Sequence, residues 1–387
     1  MIAMYAVVRF FLRCGLWLYC RKIRVHDSSL ATVRGPLILA SNHPNAIFDA
    51  LVLASCIEKP LHFTGRGDLA DRLLPKFLMR MLRILPVYAG SNVYDPREMR
   101  RRMGESCFNL LREKGILVIF SEGITGNNWK LRPLKKLTAR IWLDTAPFFP
   151  EPLQILPLAI NYDSYKGPGK TIYVRSSLPI ALSDLPGNIE ESEKINLCNG
   201  LLRSGISGCM LQSEKNPEWI QALIRLLPVM DFGKLKALED LPEDFPEKKP
   251  LRLSGEKPIG MNPQNKSGLH WMLLLLFAIP AMAGWLIHGI LYYPLKWMMK
   301  LFPARFVYYD SLLFILLFFL YPLFCTALLI VVWNLFGSPW TFPVIIILPL
   351  LARITLVWKS EMQEQINMSG SGKYKNHFMQ LFGDLPG

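Results

Sequence analysis

Paired cysteines are missing from this sequence. Its seven cysteines (Cys14, Cys20, Cys56, Cys107, Cys198, Cys209 and Cys325) are scattered, with no Cys-x-x-Cys pair and no histidine cluster near them. That spacing argues against a zinc framework and a disulfide scaffold, and points to lone buried thiols in a reducing compartment. Charge is also scarce. Asp, Glu, Lys and Arg make up 19% of the 387 residues, against 51% hydrophobic ones. Such a chain is too apolar for disorder, and its length suggests roughly two to three units. A secretory leader is not apparent either. The opening MIAMYAVVRFFLRCGLWLYCRKIRV has no early positive charge and no small-residue cleavage site.

What charge there is lies unevenly. The first 140 residues carry 23 Lys+Arg and 10 Asp+Glu, a net +13, and the remainder nets only +1. A protein this basic would ordinarily suggest nucleic acid. Here the excess sits in the first third and the long apolar runs in the last third, so an anionic membrane surface is the better partner and no nucleic acid is expected. Arg9 and Arg13 are four residues apart, on one face of a helix whose other face is apolar. The N-terminal segment, residues 1–34, therefore reads as an uncleaved interfacial helix. A true span would place two arginines near its centre at considerable cost.

From Gly35 onward, short apolar runs alternate with helix-like stretches. Strands are expected at 36–42, 61–64, 84–88, 116–120, 154–162 and 171–175, and helices after Asn42, over 68–83, from Asp95-Pro96 to about Lys114, and over 136–145. Alternation of this kind implies an α/β fold with a mostly parallel sheet flanked by helices. Two further helical segments complete a domain spanning 35–231, the second opening at Asn216-Pro217. Residues 232–268, rich in Pro, Glu and Lys, read as a linker.

Membrane helices are expected over 269–360, as a C-terminal anchor before a polar tail at 361–387. Trp271–Tyr293 and Ser311–Phe336 are long enough for a core that takes about 20 residues to cross. Thr341–Trp358 is a third candidate, with Arg353 expected to snorkel. The loop Pro294–Asp310 holds Lys296, Lys300 and Arg305, whereas FGSPW holds no charge. Positive-inside bias makes the former loop cytoplasmic, together with the basic domain. In that arrangement Trp271–Tyr293 is a re-entrant or interfacial pair bent near Pro280 and Gly284, and the last two segments form a hairpin; three plain spans are the alternative.

Three stretches bear chemistry. Ser41-Asn42-His43-Pro44-Asn45-Ala46-Ile47-Phe48-Asp49 lies where a buried strand ends and a helix begins, the place where open α/β sheets form their crevices. A histidine there can act as general base near neutral pH. A nearby carboxylate that holds its tautomer and offsets its cation completes a proton-abstracting unit. Phe120-Ser121-Glu122-Gly123 follows the strongest strand, where a plain turn would also fit. Leu131-Arg132-Pro133-Leu134-Lys135-Lys136 brings three cations near the same strand ends, although most such runs are solvated loops.

The order of these stretches, followed by Leu156-Pro-Leu-Ala-Ile-Asn-Tyr162, resembles the successive blocks of the glycerolipid acyltransferase superfamily, which includes glycerol-3-phosphate and lysophosphatidate acyltransferases. The resemblance covers about Gly35 to Ser177. It implies a membrane-bound enzyme of phospholipid biosynthesis that transfers an acyl group from acyl-CoA or acyl-carrier protein to a hydroxyl, with no metal or other cofactor. His43 would be the base and Asp49 its orienting partner, with backbone N–H groups at the helix start holding the oxyanion. Glu122 and Gly123 match the family's Phe-Pro-Glu-Gly block, and Asn42 joins them in contacting substrate. Five residues separate His43 from Asp49 where four are usual, a spacing expected in a subset that includes fungal-type glycerol-3-phosphate acyltransferases. Ala89 and Gly90 stand after Tyr88 where an arginine is usual, Thr125 replaces a second arginine, and Ser121 replaces the block's proline. Arg97, Arg132, Lys135 or Lys136 would then serve the acceptor's phosphate, or the acceptor is a non-phosphate or amino-lipid molecule. A competing class, a membrane scaffold or lipid carrier that retains the α/β shell, sits poorly with intact His43, Asp49, Glu122 and Gly123.

Overall fold

The computed structural model describes residues 2–66, 83–87, 96–212, 268–303 and 306–368. The expected helix over 68–83, the helical segment opening at Asn216-Pro217, the linker and the polar tail fall wholly or mainly outside these residues. Two compact units emerge. The first comprises residues 1–12, 24–161 and 173–214, and the second residues 13–23, 162–172 and 215–387.

A seven-stranded sheet organises the α/β part. Its strands are β1 (Lys22–Val25), β2 (Leu37–Ser41), β3 (Leu61–Arg66), β4 (Ile84–Val87), β5 (Ile116–Phe120), β6 (Gln154–Tyr162) and β7 (Thr171–Ser176), in the order β1-β7-β6-β2-β5-β3-β4. β2 runs parallel to both β5 and β6, and β3 runs parallel to both β4 and β5. Every residue of β2 is buried, as are the first four of β5. That explains their unbroken apolar sequences, because a parallel strand covered on both faces has no polar side to alternate with. The mostly parallel α/β fold expected from the alternating pattern is present.

Described helices of this part are α2 (Ile47–Cys56), α3 (Pro96–Arg112), α4 (Leu137–Thr145) and α5 (Glu191–Cys209), preceded by α1 (Ile2–Tyr19). α4 and α5 cover one face of the sheet. Trp142 is fully buried there and donates its indole N–H to the carbonyl of Leu153 at 2.8 Å, which satisfies the ring's one polar atom. Cys107 and Cys198 are buried in the same core, and burial pushes both thiols up to about 12, leaving them protonated and chemically inert. The short strand β1 lies within residues 1–34, where the sequence suggests a helical segment. Its Lys-Ile-Arg-Val pattern alternates, and such a pattern suits a half-exposed edge strand.

The second unit holds the long apolar helices α6 (Gly268–Leu276), α7 (Ala278–Met299), α8 (Tyr309–Phe336) and α9 (Ser338–Met368). Tyr309–Phe336 and Thr341–Met362 are long and apolar enough to cross a membrane. In the preceding segment, where the sequence suggests a bend, the helix is interrupted at Phe277, a few residues ahead of Pro280. The reason is local. Pro280 has no N–H to donate, and its ring clashes with the carbonyl four residues earlier, that of Leu276, where α6 ends.

Close helix contacts in this unit rely on small residues. A Cβ on Gly284 would sit 2.3 Å from the Thr355 hydroxyl and 2.6 Å from the Leu351 carbonyl, so only glycine lets α7 approach α9. Arg353, expected to snorkel, instead donates to the carbonyls of Trp17, Cys20 and Arg21 at 2.6–2.7 Å and lies over the Trp17 ring. The carbonyls at the end of α1 have no helical partners, and the guanidinium supplies them. Asp310, at the start of α8, is buried beside the buried ammonium of Lys170. It also accepts from the Tyr19 hydroxyl at 2.6 Å and the Gly167 N–H at 3.0 Å.

Candidate active site

The three chemistry-bearing stretches converge at the carboxyl ends of β2 and β5, within the first unit. β2 and β5 are in register from Leu37↔Ile116 to Ser41↔Phe120, so His43 and Glu122 each leave the sheet two residues beyond paired positions. The imidazole Nδ1 of His43 lies 2.9 Å from Asp49 Oδ2, and the same carboxylate oxygen accepts the Asn45 N–H at 2.8 Å. Asp49 is fully buried in the first turn of α2, where the helix dipole favours a negative charge.

Between His43 and Asp49 the backbone turns sharply at Ala46. Its φ of 51° is in the left-handed region, uncommon for a residue with a side chain. This turn brings the chain into α2 with Asp49 facing back toward His43. The strained residue is held by the Thr125 hydroxyl, which accepts the Ala46 N–H at 2.9 Å. Thr125 stands where the resemblance would place an arginine, so here that position braces the histidine loop.

Other residues of the loop after β5 extend the brace. Glu122 is 3% exposed; its Oε1 accepts the His43 N–H at 3.1 Å, and its Oε2 pairs with Arg132 Nε. A terminal nitrogen of Arg132 donates to the carbonyls of His43, at 3.1 Å, and Ile124, at 2.7 Å. Gly126 N–H also donates to the His43 carbonyl, and the Asn127 amide donates to the Pro44 carbonyl at 2.9 Å. The backbone of His43, Pro44 and Ala46 is thus held by one loop. Gly123 makes that loop possible: its φ is +69°, and a Cβ would sit 2.7 Å from Lys135 Cγ.

Of the other residues expected at the site, Asn42 is buried and exchanges two hydrogen bonds with the backbone of Ile160, at 3.1 and 2.9 Å. Its amide ties β2 to β6. Glu122 and Arg132 are likewise committed to each other and to the His43 loop. Lys135 and Lys136 are exposed on the segment beside Gly123. Arg97 falls in the first turn of α3, and its side chain lies outside the described residues. Among the described residues no group of three or more His, Cys, Asp or Glu is placed to hold a metal ion.

The sequence gives no role to Phe120 or Asn127, and marks Thr125 only as standing where an arginine is usual. The Phe120 ring stacks on the His43 imidazole, with centroids 4.0 Å apart and planes 12° from parallel. The signal for Thr125 and Asn127 was the polar run Thr125-Gly126-Asn127-Asn128 directly after Glu-Gly. Such residues commonly bond to nearby backbone.

A carboxylate-oriented histidine at the strand ends of a parallel α/β sheet is an arrangement able to accept and return a proton. Residues 22–161 match the family model described as Acyltransferase. This stretch, less than half of the chain, is similar to that family. A search of curated proteins by sequence finds no match. Among solved structures the fold is similar to the 1-acyl-sn-glycerophosphate (LPA) acyltransferase PlsC of Thermotoga maritima. Identity is 17%, coverage is 55% of this chain and 81% of that one, and the TM-score is 0.39.

Proposed function

We propose that the protein moves a fatty acyl group from a thioester donor, acyl-CoA or acyl-carrier protein, to a hydroxyl of glycerol-3-phosphate or a lysophospholipid at a membrane. The observation that carries this reading is the His43–Asp49 pair. With Nδ1 bonded to Asp49, Nε2 is the nitrogen that takes the acceptor's proton. The deprotonating oxygen attacks the thioester carbonyl, and Asp49 offsets the imidazolium as it forms. N–H groups in the first turn of α2 stabilise the oxyanion. Collapse of the tetrahedral intermediate breaks the carbon–sulfur bond, and the leaving thiolate takes the proton from His43. An ester and a free thiol result.

Lys135 and Lys136 serve the acceptor's phosphate as exposed cations next to Gly123. Glu122 and Arg132 hold the histidine loop. The long apolar helices α8 and α9 support a membrane location for both protein and acceptor. By positive-inside bias the catalytic domain faces the cytoplasm.

One observation favours a second acceptor class. Thr125 replaces an arginine and Arg132 is tied to Glu122, which leaves fewer guanidinium groups for a phosphate. A non-phosphorylated or amino-lipid acceptor fits that arrangement. Purified protein, supplied with one labelled acyl-CoA and a panel of acceptors, separates the two. The leading reading expects transfer to glycerol-3-phosphate or a lysophospholipid, reduced when both lysines are replaced. Faster transfer to acceptors without phosphate rejects the phosphate assignment, and transfer to none rejects the function.

A further inference from the structure

The hydrogen bond to Asp49 leaves one freedom to the His43 ring. A single Nδ1···Oδ2 contact fixes a point on the imidazole, yet the ring can still tilt about the axis of that bond and carry Nε2 away from an incoming hydroxyl. A flat contact on the ring face removes this freedom. Phe120 makes such a contact, with planes 12° apart at 4.0 Å. Phe63 backs it, its ring 13° from that of Phe120 at 6.3 Å. The column follows from strand register. Phe63 pairs with Val118, and Val118 and Phe120 lie two apart on β5, so both phenylalanines project from one face of the sheet. Phe63 is buried and braces the stack from beneath.

The chemistry of the ring face adds to the geometry. An aromatic face is negative, and it attracts a cation held above it. The imidazole becomes a cation only after it has taken a proton, so the attraction is strongest in the transition state and after it. Charged groups around His43 come from two other elements: Asp49 of α2 bonds its ring, while Glu122 and Arg132, beyond β5, bond its backbone.

We propose that Phe120 is a positioning residue for acyl transfer, holding the His43 imidazole in the plane that presents Nε2 to the acceptor and stabilising the imidazolium. The role in transfer rests on the function proposed above, whereas the stack itself can be tested without substrate.

The experiment uses the full-length protein in detergent with histidine labelled at the ring carbon. The His43 signal is identified by its loss in His43→Gln and titrated by NMR in the parent, Phe120→Leu and Phe120→Tyr, with Phe120→Met as a second aliphatic variant should Leu fail to fold. Loss of the aromatic face should lower the His43 titration midpoint by about half a pH unit, with tyrosine restoring it. In parallel, kcat for acyl transfer should fall roughly 2- to 5-fold in the aliphatic variants, with KM unchanged and tyrosine rescuing the rate. An unchanged midpoint in a folded aliphatic variant overturns the stack as an electrostatic partner. A shifted midpoint with unchanged kcat overturns its role in transfer. A shifted midpoint in a parent protein that transfers no acyl group upholds the stack and rejects the function.

Discussion

Replacing Arg132 by methionine tests whether the loop after β5 is held by a buried ion pair. Glu122 is 3% exposed and receives two donors, the His43 N–H and Arg132. Arg132 also donates to the carbonyls of His43 and Ile124. The substitution therefore removes these contacts and leaves a buried carboxylate with half its support. Breaking a buried pair at one partner costs about 3–5 kcal/mol. The Arg132 side chain is 18% exposed, so water can enter, and the lower end of that range, ~3 kcal/mol, applies. Glu122→Gln alone removes the charge but keeps an acceptor for the His43 N–H, and should cost about 1–2 kcal/mol. The double variant has no orphaned charge. Its cost should fall short of the sum of the two singles by about 1.5 kcal/mol or more. Urea unfolding of detergent-purified protein, followed by tryptophan fluorescence, measures all three. Strict additivity would refute the reasoning, because it would mean that neither group depends on the other.

Three further outcomes are expected. Asp49→Asn preserves shape but presents the wrong partner to His43 Nδ1 and the Asn45 N–H, and acyl transfer should fall on the order of 10²- to 10⁴-fold with modest change in KM. Lys170→Met strands the Asp310 carboxylate in a buried site and should destabilise the second unit by about 3 kcal/mol or more, with Lys170→Met/Asp310→Leu recovering much of it in thermal inactivation assays. His62 is held down to about 4 by burial and then by Arg83, whose guanidinium lies 3.2 Å from its Nε2. A histidine kept neutral in the folded state contributes stability that is fully present above its ordinary range near 6.5 and lost as pH falls toward 4. Because the ring is only partly buried, the loss should be on the order of 1 kcal/mol, and His62→Gln should show a shallower decline in unfolding midpoint over this window.

Signals that act locally could be read directly from the chain. Ile116–Phe120 is apolar throughout because both faces of β5 are covered, and Pro96 begins α3 because proline needs no N–H partner in a first turn. The histidine and aspartate were recognisable because both lie at one strand–helix junction. Partners distant in sequence were not. Asn42 looks like a substrate contact until Ile160, 118 residues away, takes both ends of its amide. Glu122 and Arg132 look like substrate ligands for the same reason, since nothing local reveals that both serve the His43 backbone. Arg353 is similar: snorkelling is the local expectation for a cation in an apolar helix, and the carbonyls at the end of α1, more than 330 residues earlier, provide another solution.

The proposed acyl transfer rests on His43 acting as the base. Acyl transfer from labelled acyl-CoA, measured in membranes carrying the parent or His43→Ala at equal amounts of folded, inserted protein, tests this most directly. The substitution should lower the rate on the order of 10²-fold or more. Undiminished transfer by His43→Ala would contradict it.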